Sequence, residues 1–220
     1  MVNILLEGFQ IDAPWLKGEL KNYIKSHHRV AIVAFSFRDS TAKNLDEWNA
    51  VYSKGGRFYD SIVNPLISYG ISEDSITFIN YFADTSKSAR EKLESADIVY
   101  FLGGLPDKMY ERICEFDLRD TLLRHNKIAM GFSAGALIQL GEYHLSPDKD
   151  YAEFGYYTGL EYLDSFYLEV HYEGTPVQDS AIQRVIRERQ KTVYATALNK
   201  GAIIVDNGEI KLIGNVKKFM

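Results

Sequence analysis

The residues best suited to chemistry lie in the stretch IAMGFSAGALIQL, Ile128 to Leu140. An apolar run reaches Gly131, a serine follows at 133, Gly135 comes two places later, and apolar residues then recur at helical spacing. A serine hydroxyl attacks a carbonyl only when a base takes its proton and donors receive the charge that develops on oxygen. G-x-S-x-G between a strand and a helix meets part of that need. The glycines let strand and helix close around a sharp turn, and the helix N-terminus offers unpaired N–H groups. Ser133 is therefore a candidate nucleophile; the competing reading is a plain tight turn of small residues.

The base must come from five histidines: His27, His28, His125, His144 and His171. His27, His28 and His125 precede strand-like runs, at the end of a sheet opposite to Ser133. His171 ends the run SFYLEVH and falls at the same end as the serine, so it is the preferred general base, with His144 second. The acid that orients the base stays open. Asp148, Asp150 and Glu153 lie between Ser133 and His171, and Glu169 and Glu173 flank the histidine. An oxyanion hole would take one N–H from Ala134 and another from the LGGLP loop, at Gly104 or Leu105.

These residues need a frame that brings strand ends together. Short apolar runs (NILLEG, RVAIVAFSF, SITFINYF, DIVYFLGG, KIAMGFS) alternate with helical patterns. The pattern predicts an α/β fold: a mostly parallel, doubly wound sheet with helices on both faces. Ligands of such sheets bind beyond the carboxyl ends of the strands, where Gly103-Gly104 and Ser133 fall. Residues 42–69 read as two helices or one broken at Lys54–Gly56, and PDKMYERICEFDLRDTLLRH as a helix begun at Pro106. Asn207-Gly208 between strand-like runs predicts a C-terminal antiparallel hairpin with a type I′ turn. No repeat or linker interrupts residues 1–220, so a single domain is expected.

Composition narrows the function. Net charge is −5 with 46% hydrophobic residues, which suits a globular enzyme and leaves no basic stripe for nucleic acid. RVIRERQK, Arg184 to Lys191, reads as a solvated helix face. The lone Cys114 excludes an internal disulfide and a zinc cluster, and its setting suggests a buried thiol. With no signal-like start and no membrane-length apolar run, the expectation is a soluble cytoplasmic protein, a monomer or homodimer with no nucleic-acid or membrane partner.

DIVYFLGGLPDKMYERI, GFSAGAL, GLEYLDSFYLEVHY and GAIIVDNGEIKLIG together resemble the aspartyl dipeptidase and cyanophycinase family of serine peptidases. That family is similar in fold to the class I glutamine amidotransferases, with serine in place of cysteine. The resemblance implies Ser133 as nucleophile, His171 as base, and Asp148, fifteen residues after the serine, as an aspartate of the dipeptidase branch. It implies a short-peptide substrate, with no metal or organic cofactor. An acidic first residue would be held by a basic side chain after the histidine, in the region of Arg184 and Arg187. The family's acidic residue before its late apolar strand is replaced by Asn199 in LNKGAII. Two alternatives stand beside this reading: a catalytically eroded binding or regulatory protein on the same scaffold, and an α/β-hydrolase esterase.

Overall fold

A computed structural model describes residues 1–197 and 200–220. Ten strands and eight α-helices follow one another: β1 Val2–Leu6, α1 Pro14–Leu20, β2 Val30–Val33, α2 Leu45–Tyr52, α3 Tyr59–Ile67, β3 Ile76–Ile79, α4 Ser86–Ser95, β4 Ile98–Phe101, α5 Pro106–Glu115, α6 Arg119–Arg124, β5 Ile128–Phe132, α7 Ala134–Leu137, β6 Glu142–Leu145, β7 Gly155–Thr158, β8 Phe166–Tyr172, α8 Pro176–Arg189, β9 Thr192–Asp206 and β10 Glu209–Phe219.

The main sheet runs β10-β9-β1-β5-β4-β2-β3, with β8 also paired to β9. Strands β1, β5, β4, β2 and β3 are mutually parallel. Strands β1, β2, β4 and β5 are buried on both faces, as their unbroken apolar runs require, while the edge strand β3 is half-buried. Helices α1, α2 and α3 place Leu16, Leu20, Trp48, Ile62 and Leu66 against Ile4, Ile32 and Tyr100 on one face. Helices α4 to α7 place Leu93, Met109, Ile113, Leu122 and Ala134 against Val33, Val99 and Ala129 on the other. The β9–β10 hairpin turns at Asn207 (φ 48°) and Gly208 (φ 89°), the pair of positive angles a type I′ turn needs.

One pairing positions everything that follows. Strand β9 is long enough to carry two neighbours end to end along the same edge. Its first part pairs with β8 in parallel, as far as Tyr172 opposite Ala197. Its last part pairs with β1 antiparallel, from Val2 opposite Asp206 to Leu6 opposite Ala202. The carboxyl ends of β1 and β8 therefore point at each other across the middle of β9.

Three details depart from expectation. The helical pattern after Pro106 is two helices, because α5 ends in a Schellman-type cap. Leu118 N–H bonds Ile113 O and Asp117 N–H bonds Cys114 O, with Asp117 at φ 52°. An aspartate fills the position usually held by glycine, so no breaker marked it. Cys114 is exposed rather than buried, because it lies on the outer side of α5 while Met109 and Ile113 face the core. A separate two-stranded sheet, β6–β7, packs its β6 strand alongside β8, and nothing in the periodicity announced it.

Candidate active site

Ser133 sits between β5 and α7 with φ 53° and ψ −118°, a conformation costly for a non-glycine residue. The surroundings hold it there. Its N–H bonds Leu6 O at 3.0 Å, continuing the β1–β5 ladder. A Cβ at Gly131 would lie 2.0 Å from Gly135 O, and one at Gly135 would lie 2.1 Å from Phe101 O. Both flanking glycines are thus required by close backbone approach, and the turn presents Ser133 to the cavity.

His171 reaches the serine through a bulge. Three steps along β8, from Glu169 to Tyr172, match only two along β9, from Ala195 to Ala197. The extra residue is taken up with His171 at φ 55°, which re-aims its side chain as bulges near active sites do. Ser133 Oγ–H donates to Nε2 of His171 at 2.8 Å.

The carboxylate that meets His171 Nδ1 is Glu7, the residue directly after β1. It is 2% exposed. Its Oε1 accepts from His171 Nδ1 at 2.5 Å, and its Oε2 accepts from the His171 N–H at 3.1 Å. Thr196 on β9 donates its hydroxyl to the same Oε2 at 2.5 Å. The Glu7 N–H bonds Gly201 O at 2.9 Å. With Glu7 accepting at Nδ1, the proton of the neutral imidazole lies there and the Nε2 lone pair faces the serine. The hydrogen bond to Glu7, partly opposed by burial, raises the His171 pKa above its ordinary value.

Of the two alternatives for the N–H donor in the Gly-Gly loop, Leu105 is engaged, bonding Ser36 O at 2.7 Å. That leaves Gly104, which lines the same cavity as Ser133 and Ala134. Gly104 stands at φ 144°, and a Cβ there would lie 2.2 Å from Ser36 O. Buried Ser36 also donates its hydroxyl to Leu102 O at 3.1 Å and Gly103 O at 2.6 Å, fixing the loop. Ala134 opens α7, where an N–H has no intrahelical acceptor.

The remaining candidates lie elsewhere. Asp148 lines the cavity, but its Oδ1 accepts the N–H groups of Asp150 (2.7 Å) and Tyr151 (2.9 Å) and closes its own turn. The position beside His171 Nδ1 that Asp148 was expected to fill belongs to Glu7. Asp150 is paired with Arg38, and Glu153 is exposed. His144 is buried against Glu169, Nε2 to Oε2 at 2.7 Å. Arg184 is held by Glu188 (2.8 Å) and lies over the Phe154 ring at 4.4 Å, off the cavity wall. Arg187 is exposed on α8. Asn199 lies outside the described residues. Among the described residues no three His, Cys, Asp or Glu side chains converge as a metal set, and no helix is long and apolar enough to cross a membrane.

Ser133 and His171 open into a cavity of about 470 Å³. The segment after β6 borders it and is tied down twice. Arg38 Nε donates to Asp150 Oδ1 at 3.1 Å, and Tyr151 donates its hydroxyl to Asp107 at 2.6 Å.

A parallel α/β sheet with a serine elbow at its carboxyl edge, facing a histidine and a buried carboxyl, has the arrangement of a hydrolase. The pattern of peptidase family S51 matches residues 50–213, and the chain belongs to that family. That match places the chain in a peptidase family rather than among the α/β-hydrolase esterases. No curated protein matches the chain. Among solved structures it is similar to a candidate peptidase E from Listeria monocytogenes EGD-e, at 18% identity and TM-score 0.66, covering 100% of this chain and 98% of that one. It is also similar to a peptidase from an acI-B1 Actinobacterium, at 12% identity and TM-score 0.68, covering 100% of this chain and 93% of that one. At these identities the likeness is one of fold.

Proposed function

We propose that this chain is a serine peptidase that hydrolyses short peptides through an acyl-enzyme on Ser133. The observation that carries the reading is the continuous hydrogen-bonded line from Ser133 Oγ through His171 to Glu7. As Oγ attacks the scissile carbonyl carbon, Nε2 of His171 takes its proton. Glu7 stabilises the resulting imidazolium, and the N–H groups of Gly104 and Ala134 receive the charge on oxygen. Collapse of the tetrahedral intermediate breaks the C–N bond, and His171 returns the proton to the leaving amine. Water then attacks the acyl-serine, giving its proton to His171, and the acid product leaves as Oγ is reprotonated.

The cavity's size and its twice-tied border support short substrates over a long extended chain. For an acidic first residue the support is Lys149, which lines the cavity and has no carboxylate partner among the described residues. Arg184 contributes nothing there. The test is hydrolysis of a dipeptide panel including Asp-Ala and neutral members. Ser133→Ala is expected to lose at least about 10³-fold in kcat/KM; equal turnover by wild type and variant would overturn the assignment.

A further inference from the structure

The cavity wall on the α2–α3 side of Ser133 gathers large apolar side chains beside the shorter polar ones of Ser36, Thr41 and Ser61. Phe9, Phe37, Tyr52, Phe58, Ile62 and Phe132 line it. Phe9 and Phe58 are 38% and 37% exposed, so two of the chain's few exposed large apolar side chains stand at this one opening. Exposed apolar surface gathered in a concavity marks a binding site rather than ordinary surface scatter.

The wall is also stiff. Phe132 directly precedes the nucleophile and packs its ring at 6.0 Å from Phe9 and 6.1 Å from Tyr100. Gly103 leaves room for that ring, since a Cβ there would lie 2.5 Å from it. Behind the wall, Arg112 lies over Phe37 at 3.8 Å but is spent on Asp39 and two backbone carbonyls. On the cavity itself Arg38 is matched by Asp150. A carboxylate side chain placed against these rings would lose water to carbon, and the cavity's cation unpaired among the described residues, Lys149, belongs to the segment between β6 and β7 rather than to α2 or α3.

We propose that this lobe takes a large apolar side chain flanking the scissile bond, so that Phe58 and its neighbours set a preference for leucine-like or aromatic residues. The proposal rests on the Ser133 reading for the position of that bond. The test measures binding without turnover, by calorimetry of Leu-Ala, Ala-Leu, Ala-Ala and Asp-Ala on the Ser133→Ala protein. One of the two leucine peptides is expected to bind about tenfold or more tightly than Ala-Ala and Asp-Ala, and which one does so assigns the side of the bond. Phe58→Ala, a half-exposed position, should lower that advantage about fivefold. Ser61→Tyr, which fills the same lobe from α3, should abolish it. Asp-Ala binding as tightly as both leucine peptides, or a leucine advantage unchanged in both variants, would overturn the proposal. Hydrolysis that survives Ser133→Ala would sink the nucleophile instead, and these dissociation constants would still decide the lobe.

Discussion

Glu7 Oε1 lies 2.5 Å from Nδ1 of His171, although 164 residues separate them. The contact exists because β1 and β8 end head to head along β9, with one residue past Leu6 meeting the bulge before Tyr172. Ser133 joins them because it is the next residue after Phe132, which pairs with Leu6 on the other side of β1. Thr196, from the stretch of β9 that spans the junction, anchors the carboxyl group. Thr196→Val keeps the shape and removes that donor. It is expected to cost about 1–3 kcal/mol of stability and to lower kcat about tenfold as His171 loses its fixed partner, measured by denaturant unfolding and steady-state kinetics.

The raised pKa of His171 fixes the pH profile. The base must be neutral to accept a proton, so kcat/KM is expected to climb as pH rises, with a midpoint above the ordinary 6.5. The sign for stability is opposite. A group whose folded pKa exceeds its unfolded value contributes stability that is fully present below the unfolded value and lost as pH rises through the folded one. Removing Glu7 takes away the first cause of the shift, so Glu7→Gln should move the kinetic midpoint down. A pH titration of His171 by NMR in both proteins checks the direction.

The elbow glycines carry a separate prediction. A Cβ at Gly131 meets a backbone oxygen at 2.0 Å, which no side-chain rotation relieves. Gly131→Ala should therefore cost about 3 kcal/mol or more of stability, visible as a lower Tm, and should lose activity with it.

Arg184→Ala should do little. Its partners are Glu188 one turn away and the Phe154 face, so the change is expected to cost less than about 1 kcal/mol. Turnover of Asp-Ala should stay within about twofold of wild type. A large rise in KM for acidic peptides alone would return Arg184 to the substrate site.

Ser133 and His171 were readable because local signals carry them: glycines two places either side of a serine, and a histidine closing an apolar strand run. The parallel order of buried strands then put both at one end of the sheet. Glu7 had a fainter signal, an acidic residue ending the run NILLEG at that same end. What hid it was long-range pairing: no periodicity states that β8 and β1 share one edge of β9. The bulge at His171 and the aspartate cap at Asp117 were hidden for a related reason, since both use positive φ without a glycine. For Asp148 and Arg184 the family resemblance offers only a place along the chain after the serine and the histidine, which says nothing about where a loop or helix face points.

The central claim is that Glu7, with His171, activates Ser133. The rate at which a fluorophosphonate labels Ser133, followed by intact mass, tests it most directly in wild type, Glu7→Gln and Asp148→Asn. Glu7→Gln should slow labelling about 10²-fold or more, while Asp148→Asn, which keeps the oxygen that caps its turn, should stay within about fivefold. Slow labelling in Asp148→Asn with normal labelling in Glu7→Gln would contradict the account.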